Sequence, residues 1–234
     1  MTILFDNYNA NNSCSSLWGF SAYFEKQKLL FDTGSNGRVL LQNMQELGID
    51  VKEIEQLFIT HSHWDHIGGI DSILELNPNI TLYIPSSLSK HLIKDLKTLA
   101  KDVVICTKKP QKLFDNIYTT GLLGDEMPEQ SLIIDEAETK LISGCGHFGV
   151  QNIVEVAKRV IDKDIDFVIG GFHLLRSSED EIQNSIDSLK TLGVNRVLPT
   201  HCTGDRAIEM YKNSFKENSI SGGVGTHIKE NNDF

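Results

Sequence analysis

Short apolar runs alternate with segments of helical periodicity along nearly the whole chain, and this alternation restricts the fold more than any other feature. Residues 103–142 contain four strand-like runs with little helix between them, which predicts an antiparallel middle section. We therefore predict an α/β fold. The predicted strands are 17–24, 28–31, 57–60, 81–84, 103–106, 112–119, 131–134, 140–142, 166–169 and 196–198. The predicted helices are 39–47, 67–76, 86–100, 150–161, 179–192 and 206–215.

The length and composition are those of one globular domain. A chain of 234 residues with 40% hydrophobic and 23% charged residues can bury a single core, so we expect one domain over residues 1–234. No apolar stretch approaches the roughly 18 residues of a membrane span, and the N-terminus does not resemble a secretory signal. We expect a cytoplasmic protein with four reduced cysteines. The polar, Gly-rich tail, residues 219–234, is expected to be an edge strand or partly disordered.

The formal net charge of −10 argues against nucleic acid as a partner. Binding to nucleic acid relies on Lys and Arg that neutralise phosphates, so only a local basic groove would support it. A small-molecule substrate is the expected partner, and no membrane association is expected. The sequence does not indicate an oligomeric state.

Four strong metal ligands lie within six residues, His61-Ser62-His63-Trp64-Asp65-His66, directly after an apolar run. Side chains at i and i+2 of an extended segment point to the same side, so His61 and His63 can bind one ion. The predicted helix from residue 67 carries Asp65 and His66 toward a neighbouring position, where a carboxylate and an imidazole suit a second ion. The pattern predicts a two-metal site; the alternative is a solvated His-rich turn.

Further polar residues follow other predicted strands. Asp32, Cys145 and His201 each lie at or just past the end of an apolar run, as His61 does. Ligands gather at strand ends in open α/β sheets, so we expect these residues to form one pocket. Asp32 can orient a ligand histidine or a bound water, or cap a turn.

Two residues of the glycine-rich segment 143–149 are candidate ligands. His147 is the best candidate for a further ligand, the alternative being a core histidine bonded to backbone. Cys145 can bind a soft ion as thiolate, or be a buried thiol without a role. His91 and His227 are expected to have no role in the site.

The chain resembles the metallo-β-lactamase superfamily in four segments: 31–34, 60–69, 143–147 and 199–204. The second of these, Thr60 to Gly69, looks like the signature of that superfamily. Its members fold as an αβ/βα four-layer sandwich and bind one or two ions, usually zinc, iron or manganese. The combination of GCxH, GGFH and THCTG further resembles a branch containing archaeal dihydropterin ribofuranosyl-aminobenzene phosphate synthase.

The resemblance implies a ligand set. One ion would be held by His61, His63 and His147, the other held or shared by Asp65, His66 and His201, with Asp32 beneath the site. Zinc is the expected metal, with iron or manganese as alternatives.

The chain departs from the usual superfamily pattern in two places. The histidine of the third motif is missing, and Glu129 stands in its slot as a candidate oxygen ligand. The bridging aspartate is replaced by Cys145 or His147. One tight ion with a weaker second site is therefore an alternative to two equal ions.

The ligand set favours hydrolysis. Two ions lower the pKa of a shared water, so a metal-bound hydroxide can attack a small ester, thioester or phosphoester. Asp65 can accept a proton from that water, and His173 can be a ligand, a general acid or a phosphate donor, or only pack. The alternatives are group transfer on a phosphorylated, pterin-type substrate and metal-dependent binding without turnover. A redox-active iron site ranks third.

Overall fold

The computed structural model describes residues 1–229. The chain divides into a first unit, Met1–Cys106 together with the segment from Gly222, and a second unit, Thr107–Ser221. Within the described residues each unit contains one six-stranded sheet. The α/β class is confirmed, and the assignment of 1–234 to a single domain stays a prediction.

The first unit is a mixed sheet with helices on its surface. Its strands, in the order of the sheet, are β1 (Thr2–Phe5), β2 (Ser21–Phe24), β3 (Leu29–Phe31), β4 (Gln56–Phe58), β5 (Thr81–Pro85) and β6 (Asp102–Cys106). Its helices are α1 (Gly37–Glu46), α2 (Trp64–Ile67), α3 (Ile70–Leu76) and α4 (Lys90–Leu99), with a 3-10 turn at Val51–Glu53. Strands β1 to β3 pair antiparallel and β3 to β6 pair parallel.

The second unit repeats this arrangement and this strand order. Its strands are β7 (Gln111–Phe114), β8 (Ile117–Thr119), β9 (Leu132–Ile134), β10 (Lys140–Ser143), β11 (Phe167–Gly171) and β12 (Arg196–Thr200), adjacent in sequence order. Its helices are α5 (Val150–Ile161), α6 (Glu179–Thr191) and α7 (Asp205–Phe215), with 3-10 turns at His201–Thr203 and Lys216–Asn218. Strands β7 to β10 pair antiparallel, and β10 to β12 pair parallel.

Each unit has its own hydrophobic core. In the first, Leu40 of α1 and Ile73 of α3 pack with Leu57 of β4 and other strand residues. In the second, Val154 of α5 and Ile186 of α6 pack with their strand neighbours. Each fully buried aliphatic side chain contributes about 1.5–3 kcal/mol of transfer free energy, so these cores hold the strand ends rigidly.

The parallel strands end in register. Phe31, at the end of β3, is aligned with Phe58 at the end of β4. In the second sheet Gly170 of β11 is aligned with Ser143 of β10 and Pro199 of β12. The loops that follow therefore start from one edge of each sheet, as expected for parallel strands.

Several predicted boundaries are confirmed and others are wrong. Helix α5 matches its prediction, and α6 begins with the expected capping box, in which Ser178 and Glu181 bond each other's backbone. The predicted antiparallel section starts only at β7, because β6 pairs parallel with β5. The predicted strand 112–119 is the hairpin of β7 and β8.

Two further differences concern the first unit and the tail. Strand β1 was not predicted. The tail meets β1 through an isolated bridge between Thr2 and His227, and its last five residues lie outside the described residues. No helix among the described residues is long and apolar enough to cross a membrane.

Helix α2 begins at Trp64, three residues before the predicted start, and is separated from α3 by Gly68 and Gly69. A Cβ at Gly68 would lie 2.5 Å from the carbonyl oxygen of Ser35, and one at Gly69 would lie 2.6 Å from that of Thr33. The two glycines therefore let the end of α2 pass against the loop that follows β3.

Candidate metal centre

The first two histidines of the motif lie side by side after β4. His61 Nε2 is 3.0 Å from His63 Nδ1, and the two rings lie 4.7 Å apart between centroids. Two nitrogens bound to one tetrahedral ion at ordinary Zn–N lengths are separated by about 3.3 Å. His61 is fully buried and His63 is partly exposed. The pair therefore has the geometry of two ligands to one ion, as the i, i+2 spacing predicts.

Asp65 and His66 form a second pair on the first turn of α2. His66 Nε2 lies 3.7 Å from Asp65 Oδ2, and both side chains are buried. The His66 ring lies 4.3 Å from that of His61 between centroids. A buried carboxylate next to an imidazole nitrogen is a suitable site for a divalent ion.

Asp32 determines which ring nitrogens of His61 and His66 carry hydrogen. Its carboxylate accepts hydrogen bonds from Thr60 N (2.8 Å), Thr60 Oγ1 (2.8 Å) and His66 Nδ1 (2.7 Å). Thr60 Oγ1 also lies 2.8 Å from His61 Nδ1. Since the hydroxyl donates its one proton to Asp32, His61 Nδ1 must donate to the hydroxyl. Both His61 and His66 thus carry hydrogen on Nδ1 and present the Nε2 lone pair, the form that binds metal.

The backbone around Asp32 is anchored to the same helix. Asp32 has a φ of 49°, a left-handed conformation that costs a non-glycine residue roughly 1–2 kcal/mol. Thr33 N and Thr33 Oγ1 both donate to the carbonyl oxygen of His66, at 2.8 and 2.9 Å. Asp32 and Thr33 therefore hold helix α2 through hydrogen bonds of both their side chains and their backbone.

The second unit brings its own candidate ligand residues to the edge where β10, β11 and β12 end. Cys145 and His147 follow β10, His173 follows β11, and His201 follows β12. Cys145 Sγ lies 3.5 Å from His201 Nε2, and the His147 and His173 rings lie 4.5 Å apart between centroids. Ligand atoms of Cys145, His147 and His173 lie within 4.8 Å of one another, as do those of Cys145, His201 and Cys202.

Close backbone packing at this edge explains the two glycines of the GGFH segment. Gly170 has a φ of 113°, and a Cβ there would lie 1.9 Å from the carbonyl oxygen of Ser143. A Cβ at Gly171 would lie 2.4 Å from the carbonyl oxygen of Gly144 and 2.6 Å from Cys202 Sγ. Only glycine allows the loops that carry the cysteines to approach β11 this closely.

The structure gives Glu129 a role that differs from the oxygen ligand proposed from the sequence. Its carboxylate accepts from the backbone N–H of Cys145 (2.8 Å), Gly146 (3.0 Å) and His147 (3.0 Å). It also lies 2.7 Å from His147 Nδ1. Its acceptor positions are taken by these donors from the 145–147 loop, so it is not itself placed to bind metal.

The side chains of Cys202 and His173 shift each other's pKa. Burial raises the pKa of the Cys202 thiol, but hydrogen bonds with Cys145 and His173 and the charge of His201 outweigh it, leaving that pKa well below its ordinary value. The hydrogen bond to Cys202 in turn raises the pKa of His173, which is exposed. The sequence leaves His173 with either a pocket role or a packing role, and its exposure argues against packing in the core.

Large apolar side chains next to the ligand residues are exposed. Trp64, between His63 and Asp65, is 63% exposed, and Phe148, directly after His147, is 41% exposed. Single exposed aromatics are common on protein surfaces, but here each follows a candidate ligand directly in sequence. They offer flat apolar surface beside the polar ligand clusters.

The two remaining histidines lie apart from these clusters. His91 is exposed on α4, and His227 Nδ1 lies 3.0 Å from Thr2 Oγ1 in the tail. Sequence reasoning missed Thr60, whose hydroxyl joins His61 to Asp32. Its only signal is its position directly before the His-x-His pair.

Comparisons with known proteins identify the family of the chain. Residues 21–136, which contain the His61 to His66 segment, match the model of the metallo-β-lactamase superfamily. A solved structure described as a metal-dependent hydrolase of the β-lactamase superfamily is similar at a TM-score of 0.81, with 26% identity over 98% of both chains. The chain belongs to the metallo-β-lactamase superfamily.

Relatives within the superfamily have different activities. The chain is 28% identical to 7,8-dihydropterin-6-methyl-4-(β-D-ribofuranosyl)-aminobenzene-5′-phosphate synthase of Methanocaldococcus jannaschii, over 87% of this chain and 85% of that protein. Human tRNase Z, short form, shares the fold at a TM-score of 0.65 with 16% identity, over 97% of this chain and 98% of that one. The chain has the metallo-β-lactamase fold, and the superfamily to which it belongs is metal-dependent.

Proposed function

We propose that the protein is a metal-dependent hydrolase that acts on a small ester, thioester or phosphoester. The observation that carries the proposal is the pair of nitrogens His61 Nε2 and His63 Nδ1, 3.0 Å apart, with the tautomer of His61 fixed through Thr60 by Asp32. Such fixed ligand tautomers are typical of metal sites. The similarity to a metal-dependent hydrolase over 98% of both chains supports the same conclusion.

The ligand assignment is part of this proposal and rests on the superfamily motifs. His61, His63 and His147 would hold one ion, and Asp65, His66 and His201 would hold or share the other, with Cys145 in place of the usual bridging carboxylate. Histidine, carboxylate and thiolate together suit zinc, and iron or manganese less well in the presence of the thiolate. When bound, one or two such ions lower the pKa of a water and polarise a substrate oxygen.

Two residues of the chain would move protons. Asp65 has a buried carboxylate beside His66 Nε2 and would accept the proton released by the attacking water. His173 is exposed next to His147 and would donate a proton to the leaving group or bond a phosphate oxygen. The exposed Trp64 and Phe148 would contact an apolar or aromatic part of the substrate.

A second candidate is group transfer on a phosphorylated, pterin-type substrate. The similarity to the archaeal synthase over 87% of this chain favours it. The exposed aromatics also suit a flat heterocycle, because aromatic rings stack in offset geometry. On this alternative the same ligands would bind and activate the phosphorylated substrate, and no water would attack.

A third candidate is a metal-dependent binding protein without turnover. It is favoured by the number of cysteine and histidine donors at the strand ends of the second unit, since structural metal sites have closed coordination shells. The substrate is proposed to be a small molecule, because a net charge of −10 does not favour nucleic acid.

Metal content and turnover together test the proposal. Protein purified anaerobically without added metal is analysed by mass spectrometry, and hydrolysis of a generic phosphodiester and a thioester is followed. We expect up to two equivalents of metal per chain and turnover that is lost in His61→Ala and retained in the control His91→Ala. About one equivalent and no hydrolysis would favour transfer or binding. Full metal content in His61→Ala would contradict the ligand assignment.

A further inference from the structure

The carboxylate of Glu129 lies in a cradle of backbone amides. It is 2% exposed, and it accepts hydrogen bonds from the backbone N–H groups of the three successive residues Cys145, Gly146 and His147 at 2.8–3.0 Å. Consecutive N–H groups that point to one spot form an anion-binding nest. The turn requires a φ of 78° at Gly146, where a Cβ would also lie 2.9 Å from the carbonyl oxygen of Gly171.

The same carboxylate contacts the ring of one ligand candidate. Glu129 Oε2 lies 2.7 Å from His147 Nδ1. An ionised carboxylate only accepts hydrogen bonds, so Nδ1 must carry the hydrogen and the lone pair must be on Nε2. His147 keeps 12% of its side chain exposed, while Glu129 is buried beneath it.

We infer that Glu129 is a positioning residue that fixes the Nδ1–H tautomer and the orientation of His147. The inference rests on the proposed function, in which His147 binds metal. It also gives the second unit a buried carboxylate that does for His147 what Asp32 does for His66 in the first unit. Glu129 and Asp32 differ in how their negative charges are stabilised. The charge of Glu129 is stabilised by the nest of backbone N–H groups in the same loop that carries His147. That loop and its histidine are thus oriented by one side chain.

The arrangement requires a carboxylate and does not tolerate an amide. A glutamine at this position has one acceptor oxygen, whereas both carboxylate oxygens face N–H donors. With its NH2 group toward His147, the ring must turn its Nδ1 lone pair inward and protonate Nε2, and the NH2 group also faces the backbone N–H of His147. With its NH2 group toward Cys145 N and Gly146 N, buried donors face one another. Loss of a partner of this kind lowers metal affinity by about 10- to 100-fold.

The experiment combines ring NMR with metal affinity. Two-bond 1H–15N correlation spectra of the metal-free protein report the tautomer of His147, assigned by its loss in His147→Ala. Zinc affinity is measured by competition with a chromophoric chelator for the unsubstituted protein, Glu129→Gln, and Glu155→Gln as a matched control. Glu155 is an exposed residue of α5 in the same unit.

We expect the Nδ1–H tautomer in the unsubstituted protein and in Glu155→Gln. We expect Glu129→Gln to bind zinc about 10- to 100-fold more weakly and to shift His147 toward Nε2–H. Glu129→Asp, which keeps the charge in the nest, should recover part of the affinity. An Nε2–H tautomer in the unsubstituted protein would overturn the inference even if Glu129→Gln does not fold.

Failure of the inference can be told apart from failure of the proposed function. If His147→Ala binds zinc as tightly as the unsubstituted protein, the ligand assignment of the proposed function is wrong. If His147→Ala loses affinity while Glu129→Gln keeps both its affinity and the Nδ1–H tautomer, the metal site stands and the positioning role of Glu129 is refuted.

Discussion

Replacement of Asp32 by Asn tests whether one carboxylate sets the tautomers of two ligand histidines. The Asn amide can be placed in two ways. With its oxygen toward Thr60 N, its NH2 group faces Thr60 Oγ1 and His66 Nδ1, which must then both accept. The Thr60 hydroxyl turns its proton to His61 Nδ1, so that both rings are protonated on Nε2, the ligand atom.

The other placement is less favourable. With the amide oxygen toward His66, the NH2 group points at the buried N–H of Thr60, and an unsatisfied buried donor costs about 1–3 kcal/mol. The first placement is therefore favoured, and it satisfies the hydrogen bonds of Thr60 N, Thr60 Oγ1 and His66 Nδ1. Asp32→Asn should fold with an unfolding free energy within about 1 kcal/mol of the unsubstituted protein, because no buried group loses its partner.

Metal affinity should fall sharply in the same variant. Each misoriented histidine costs about 10- to 100-fold, so that two together cost at least about 100-fold, or roughly 3 kcal/mol. The assay is zinc competition on metal-free protein, with urea unfolding to measure stability. Asp6→Asn is the control, because Asp6 is a buried aspartate of the same unit that accepts from Tyr8 N. Zinc affinity of Asp32→Asn within threefold of the unsubstituted protein would refute the tautomer argument.

Three other substitutions test separate parts of the site. His63→Ala should lose metal but remain folded, since this side chain is partly exposed; full metal retention on mass spectrometry would contradict its role. Cys145→Ser should abolish the thiolate-to-metal absorption of the cobalt-loaded protein, whereas Cys106→Ser should leave that band unchanged. Gly171→Ala places a Cβ 2.4 Å from a backbone carbonyl oxygen and should lower the unfolding free energy by about 1–3 kcal/mol or more, measured by urea unfolding. At Gly48, where a Cβ meets nothing within 4 Å, the same change should cost only the roughly 1–2 kcal/mol of its left-handed backbone.

Local patterns predicted the parts of the fold that depend on local interactions. The capping box of α6 and the apolar period of α5 gave the starts of both helices correctly, because caps and amphipathic faces are encoded within a few residues. The start of α2 was placed too late, at residue 67. What positions that helix is the close contact of Gly68 and Gly69 with the loop after β3, and no local pattern reports it.

In the candidate site, too, local sequence patterns predicted some features, whereas others depend on tertiary contacts. The geometry of His61 and His63 follows from their spacing, so their closeness was predicted. The hydrogen bonds of Glu129 join residues 16 to 18 positions apart and depend on how β9 and β10 pair. A glutamate in the slot of a missing ligand suggests a replacement ligand, and only the three-dimensional arrangement shows that its oxygens are already engaged.

The left-handed backbones of the site have a practical consequence for engineering. Asp32, His173 and His201 have φ values of 49°, 54° and 51°, each of which costs a non-glycine residue roughly 1–3 kcal/mol. Their total of about 3–9 kcal/mol is a large fraction of the roughly 5–15 kcal/mol by which an ordinary domain is stable. A directed-evolution campaign that selects for heat resistance alone would favour glycine or asparagine first at His173, which is exposed, because glycine at Asp32 would leave the buried N–H of Thr60 unsatisfied. Variants that are heat-resistant but inactive are the expected product, unless every round also selects for turnover.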